Sequence, residues 1–159
     1  MNKKLYNTDT ELGLRCLFIL KEVYPRNCSL ERLLYLDYLS IYIEDFSKEA
    51  QNLHPRYPFQ FIEVLDRRYL LKEALSILAY KGLVDVENDK GLRYRSNGNT
   101  SWLLVNIQNN YSIHLSNNIR CVIAQTDEKT DDELKSIIFS HRTDDNDEFI
   151  GFYPYIEEI

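Results

Sequence analysis

Between Leu30 and Phe46 almost every position is apolar: Leu30, Leu33, Leu34, Tyr35, Leu36, Tyr38, Leu39, Ile41, Tyr42, Ile43 and Phe46. A helix that is hydrophobic nearly all round is stable only when other elements surround it. This segment therefore predicts a central helix with the rest of the chain wrapped about it. Ser29 supplies the N-cap, because its hydroxyl can accept from a free first-turn N–H. The one polar stripe is Asp37, Ser40, Glu44 and Ser47, at steps of three and four. Asp37 lies in its middle and has two readings. It belongs to a solvated stripe, or it is buried and needs a cation, since an isolated buried carboxylate costs several kcal/mol. Arg15, Arg67 and Arg68 are the candidate partners.

The flanking segments have the patterns such a centre requires. Thr8 and Glu11 have the spacing of a capping box, and Leu12, Cys16, Ile19, Leu20 and Val23 follow at helical intervals until Pro25. Residues 48–65 include Leu53, His54, Pro55, Arg56, Tyr57, Pro58 and Phe59 and read as a long, aromatic connection, ordered and packed rather than loose. A third helix is predicted from about Asp66 to Lys81, with Leu70, Leu71, Ala74, Leu75, Ile77 and Leu78 as its apolar face and Gly82 as a left-handed stop. Val84 and Val86, the turn Asn88-Asp89-Lys90-Gly91, then Leu92 and Tyr94 predict a β-hairpin. Helix, Gly-Leu-Val and hairpin in that order are the layout of a winged helix. Short helices are predicted around Trp102–Ile107 and Ile113–Ala124, and Thr130 with Glu133 opens another before Leu134, Ile137, Ile138 and Phe139. The expected fold is mainly α with a small β-hairpin: a winged-helix-like domain over residues 1–126 (wing about 84–95), a C-terminal helix over 127–142, and an acidic, aromatic tail over 143–159.

Charge and motif content narrow the function. Residues 1–95 hold 15 lysines and arginines against 14 acids, and residues 96–159 hold 4 against 11. Affinity for nucleic acid rests mainly on cation–phosphate contacts, so the acidic end opposes it. The predicted third helix does carry Arg67, Arg68, Lys72 and Ser76 where a DNA-reading winged helix has its recognition helix. Glu73 stands among them, however, and the wing carries Asp85, Glu87 and Asp89. None of the five glycines lies in a phosphate-binding loop pattern. His54, His114 and His141 lack partners at metal-ligand spacing, and no nucleophile–base arrangement is recognisable. No catalytic residue, cofactor or metal is therefore expected. Cys16, Cys28 and Cys121 are odd in number and widely spaced, which fits reduced thiols. No apolar run reaches the ~20 residues needed to span a bilayer, so a cytoplasmic protein with no membrane partner is expected. The twelve tyrosines suit either the core boundary or an interface, where a large apolar body with a polar tip is useful. The tail is open to two readings as well. It is a solvated acidic end, or a docking segment steered by Asp144, Asp145, Asp147 and Glu148 and anchored by Phe149, Phe152, Tyr153 and Tyr155.

The ordered set of segments resembles a known family. Asn7 to Leu20 (NTDTELGLRCLFIL), Tyr24-Pro25, Leu33 to Leu39 (LLYLDYL), Leu53-His54-Pro55, Arg67-Arg68, Ala74 to Val84 (ALSILAYKGLV) and Gly91 to Arg95 (GLRYR) are similar in order and spacing to the middle components of ABC-three-component systems, second type. The resemblance covers about residues 6–125. It implies a non-catalytic adaptor encoded between an SMC-like ABC ATPase and an effector, often a nuclease, as in Lamassu-type antiphage defence. There the small subunit would resemble a kleisin, contact the ATPase head region through its winged-helix part, restrain or license the effector, and meet DNA only through the complex. The candidate partner-facing residues are Asp37, His54, Arg56, Tyr57, Arg67 and Arg68, with Phe149, Phe152, Tyr153 and Tyr155 in the tail. The rival expectation, carried by the helix–glycine–hairpin order, is a stand-alone winged-helix transcription regulator.

Overall fold

A computed structural model describes residues 8–56 and 60–140 of the 159-residue chain. The architecture is mostly helical with a single two-stranded antiparallel hairpin, as expected. The elements are α1 (Asp9–Val23), α2 (Leu30–Ile41), a 3₁₀ turn (Ile43–Asp45), α3 (Gln60–Tyr80), β1 (Val84–Asn88), β2 (Leu92–Ser96), α4 (Gly98–Val105), α5 (Asn110–Thr126) and α6 (Asp131–Ser140).

The apolar α2 occupies the centre. It packs against α1, α3, α5, α6 and β2, and Leu33 to Tyr42 are all buried, polar Asp37 and Ser40 included. The Ser29 hydroxyl accepts from the Arg32 N–H at 3.0 Å and caps the helix. The helix ends at Ile41 rather than running to Phe46. Tyr42 leaves the helical region at φ −110° and ψ 49°, and Glu44 and Asp45 would have put two negative charges on the negative end of the helix dipole.

Both stop signals act as their chemistry predicts. α1 ends at Val23, and the Tyr24–Pro25 peptide that follows is cis. At the end of α3, Gly82 takes φ 67°. Its N–H donates to Ala79 at 3.0 Å and that of Leu83 to Leu78 at 2.9 Å, the pair of bonds that closes a Schellman motif. The chain then enters β1 directly. The hairpin pairs Val84 with Ser96 through Asn88 with Leu92. Its loop is Asp89-Lys90-Gly91, with Lys90 at φ 52° and Gly91 at φ 117°. The second edge of β2 is not left open: Cys28 and Tyr94 exchange both backbone hydrogen bonds at 2.8 Å, which adds a one-residue bridge from the α1–α2 loop.

α3 begins at Gln60, about a turn and a half before the expected Asp66. Glu63 and Val64 are buried on the same face as Arg67 and Leu71, so the helical spacing already holds there. The preceding connection is ordered as far as it is described. Glu44 and Asn52 exchange three hydrogen bonds, and the Leu53 N–H reaches the Ile41 carbonyl at 2.9 Å. At the C-terminal end, α6 opens with a complete capping box, Thr130 N–H to Glu133 at 2.6 Å and Glu133 N–H to Thr130 Oγ1 at 3.2 Å. Its Leu134 and Ile138 join the same hydrophobic core as α1, α2 and α5.

Candidate functional site

Three buried charges meet where α1, α2 and α3 cross. Arg15, Asp37 and Arg67 are each only 1% exposed. Arg15 holds Asp37 with two parallel bonds, Nε to Oδ1 at 2.5 Å and Nη2 to Oδ2 at 3.0 Å. Arg67 Nη1 adds a third at 3.0 Å to Oδ2, and its Nη2 donates to Glu63 Oε1 at 2.6 Å. The Tyr42 hydroxyl donates to the same Glu63 oxygen at 2.7 Å. The Arg67 guanidinium also lies 5.5 Å from the Tyr38 ring centre and 5.4 Å from that of Tyr42, within cation–π range. Two guanidiniums and two carboxylates balance formally, which is what a low-dielectric site demands. Burial works against the Arg15 charge, but Asp37 more than offsets it and holds the guanidinium well above its ordinary value. Burial likewise pushes the Tyr38 and Tyr42 hydroxyls well up, and Glu63 adds to both.

The network has an outer arm. Glu11 Oε1 accepts from Arg15 Nη1 at 2.9 Å and lies 3.2 Å from His54 Nε2. That ring nitrogen is also 3.1 Å from the Tyr111 hydroxyl, and the two rings stack with centres 6.1 Å apart. The residues spread from α1 to α5 are thus joined by one polar chain. Among the described residues no group of three or more His, Cys, Asp or Glu side chains could hold a metal.

The candidate partner-facing residues fall into separate places. Asp37, Arg67 and His54 are inside the network and offer no free side-chain surface in this conformation. Of the three arginines considered for Asp37, Arg15 and Arg67 bind it, whereas Arg68 reaches Glu31 at 3.0 Å on the surface. Arg56 is half exposed and bonded to Asp45. Tyr57, Phe149, Phe152, Tyr153 and Tyr155 lie outside the described residues. Glu63, Tyr42, Glu11 and Tyr111 were not among the candidates, although Glu11/Arg15 and Glu63/Arg67 stand at the i,i+4 spacing that pairs charges on one helix face.

The remaining described arginines are similarly engaged. Arg95 lies 2.9 Å from Glu87 and 3.7 Å from Asp85, Arg93 Nε donates to Asn27 at 3.1 Å, Arg32 binds Asp131 at 3.2 Å, Arg26 binds Asp127 at 2.6 Å and Arg120 binds Glu22 at 2.9 Å. The surface also presents large apolar side chains. The outer side of α3 exposes Ile62, Leu65, Tyr69, Ile77 and Tyr80, the last 93% accessible. Apolar groups on both faces of one helix are unusual for a helix that meets only its own domain.

Comparison with known families decides what kind of chain this is. Residues 5–146 match the family model described as "ABC-three component (ABC-3C) system Middle Component 2". The chain belongs to this family. No curated protein and no solved structure matches the sequence. As a middle component it has an adaptor-type place in a defence system built from an ABC ATPase and a further component. The match runs across every described element, so the buried network and the α3 face both belong to the middle-component body. Among the described residues, no helix of this middle component is long and apolar enough to cross a membrane.

Proposed function

We propose that this middle component is a non-catalytic bridge between an SMC-like ABC ATPase and an effector, a nuclease in the arrangement it most resembles, and that it holds the effector in check until the ATPase engages foreign DNA. The observation that carries the reading is the outer face of α3. In a winged-helix arrangement that face would address a ligand. The reading as a winged helix is supported by the α3–Gly82–hairpin order and by the Cys28–Tyr94 bridge beside β2. Here the face carries Ile62, Leu65, Tyr69 and Tyr80, with Asp66, Lys72, Glu73 and Ser76 exposed among them. Aromatic and aliphatic side chains at that density favour a protein surface, where buried apolar anchors dominate binding.

The same face argues against the rival reading as a DNA-binding regulator. Phosphate contacts need available cations, whereas Arg67 is buried on Asp37, Arg68 lies on Glu31, the hairpin's Arg95 lies on Asp85 and Glu87, and the exposed Lys72 and Lys90 stand next to the exposed Glu73 and Asp89. The kleisin-like, Lamassu-type role is proposed with the bridge. So is the docking tail: Asp144, Asp145, Asp147 and Glu148 would steer it to a basic groove and Phe149, Phe152, Tyr153 and Tyr155 would anchor it.

Co-expression with the neighbouring ATPase and third component tests the bridge. Both should co-purify with the wild-type chain, and Tyr69→Asp with Tyr80→Asp should lose one of them while the far-ultraviolet spectrum is unchanged. A chain that is recovered alone from such cells refutes the adaptor. Removing residues 144–159 should weaken assembly, and unchanged assembly removes the tail from the proposal.

A further inference from the structure

Two sides of α3 are apolar enough to be buried. Among its described side chains Val64, Leu71, Ala74, Leu75 and Leu78 face the core, while Ile62, Leu65, Tyr69, Ile77 and Tyr80 are exposed. At about 100° per residue the two groups lie roughly half a turn apart on the helix. A half-turn roll would exchange one apolar set for the other. Burial of apolar area is non-directional, so it does not by itself choose between them. Charge content does not choose either. Glu63 and Arg67 lie on the inner side, and Lys72 and Glu73 stand exposed with Ser76 on the outer one.

What distinguishes the inner side is a matched set of partners. Arg67 donates to Asp37, which Arg15 of α1 holds with two bonds. Glu63, one turn before Arg67, accepts from Tyr42. The Arg67 guanidinium also lies over the rings of Tyr38 and Tyr42. Hydrogen bonds are directional, and a buried charge without its partner is costly, so these contacts select one rotation of the helix. The rival constraint is close packing of α1 on α3 at Gly13, where an added Cβ would lie 3.5 Å from Ala74 and Leu78. We infer that the Asp37 cluster keys the rotation of α3. Glu63 and Arg67 are then positioning residues: they decide which apolar side is buried, and so which is left for a partner. The keying concerns this chain alone. Only its consequence for assembly rests on the adaptor reading.

The test uses the full chain with Cys121→Ala, since Cys16 and Cys28 are buried. One reporter thiol is added, by Leu71→Cys on the buried side or Ser76→Cys on the exposed side. Its alkylation rate is measured without denaturant, before and after Glu63→Gln with Arg67→Met. That double change leaves Asp37 on Arg15 and an amide to accept from Tyr42. With the cluster intact, position 76 should react far faster than position 71. In the double variant the ratio should fall about tenfold or more, as position 71 speeds up and position 76 slows down. General loss of stability raises the inner rate but cannot slow the outer one. Leu20→Ala, a core change outside the cluster, should show this. In cells co-expressing the ATPase and the third component, the double variant should also recover about tenfold less of one partner. An unchanged outer rate in a double variant that melts cooperatively overturns the inference and assigns the rotation to the packing at Gly13. If the double variant does not melt cooperatively, Arg15→Met and Asp37→Leu are added and the rates are read again. A second failure to fold also overturns the inference, because the cluster would then be needed for folding itself rather than for a choice between packings. Converged rates with full partner recovery support the keying, and remove the outer face of α3 from the proposed bridge.

Discussion

Asp37 accepts hydrogen bonds from two arginines that come from two different helices, and its removal strands both guanidiniums in the core. Taking one partner from a buried ion cluster costs about 3–5 kcal/mol, because the remaining charge stays desolvated. Asp37→Ala should therefore lower the unfolding free energy from urea titration by that amount or leave the chain unfolded. Replacing Arg15, Asp37 and Arg67 together by apolar residues of similar volume should cost far less, and can stabilise. Equal losses in the single and triple variants would contradict this account. A second residue-scale prediction concerns alkaline pH. Burial pushes the Cys28 thiol up from 9.0 to about 11. Burial raises Cys16, Tyr35, Tyr94 and Tyr111 in the same direction. A raised folded-state value means the folded chain keeps its proton longer than the unfolded one. The associated stability is complete below about pH 9 and is lost as pH rises through 11. Thermal melts over that window should show a fall that is shallower in Cys28→Ala.

The helices of this chain differ in what holds them. α1 carries Gly13 in its interior, where glycine costs roughly 0.5–1 kcal/mol relative to alanine. A Cβ built there would meet Ala74 and Leu78 at 3.5 Å, an ordinary contact. Gly13→Ala should raise the melting temperature. Gly82→Ala should lower it, at a stability cost of about 1–2 kcal/mol, because φ 67° is a conformation alanine resists. The pair of variants separates backbone entropy from backbone strain. α6 packs on α2, its Leu134 and Ile138 are buried, and Asp131 receives both Ser29 and Arg32. Burial of each aliphatic side chain is worth about 1.5–3 kcal/mol. A chain ending at Thr126 should thus melt well below the full chain in calorimetry, and an unchanged melt would make residues 127–142 a separable unit. The helices, the hairpin and the caps at Thr8, Ser29 and Thr130 were legible because each has a local cause: Thr130 and Glu133 at capping-box spacing, Gly82 after an apolar periodic run, a four-residue turn between the alternating Val84 and Val86 and the alternating Leu92 and Tyr94. The capping boxes at Asn97 and Asn109 were missed. The start of α3 was not legible. Pro58 and the aromatics before Gln60 read as loop, and only burial against Tyr42 and Asp37 shows that Glu63 and Val64 already face inward.

At the scale of the whole molecule, the middle component buries Arg15 and Arg67, pairs its other described arginines and exposes several aromatic and aliphatic side chains. A weak hold on DNA is the expected consequence. Its affinity for duplex DNA, measured by fluorescence anisotropy on the isolated chain at 150 mM salt, should stay in the non-specific range of about 10⁻⁴–10⁻⁶ M with no sequence preference. Nanomolar binding to one duplex would favour the regulator. The partner-facing candidates show why surfaces are harder to read than elements. Arg67 and Arg68 are neighbours in sequence, but the 100° step of a helix sends one into the core and the other toward Glu31. His54 follows an irregular loop, whose path only the packed α5 explains.

The sequence alone determined the helical class, the central place of the segment beginning at Leu30, the hairpin after Gly82 and the resemblance that led to the family. All of these depend on periodicity, caps and turn chemistry within a few residues of one another. Tertiary structure decided which arginines reach Asp37, that Glu63 and Tyr42 complete the network, and that Ile62, Leu65, Tyr69, Ile77 and Tyr80 of α3 are left exposed. Those outcomes depend on how helices distant in sequence cross, and a charge's partner is set by that crossing rather than by its neighbours along the chain.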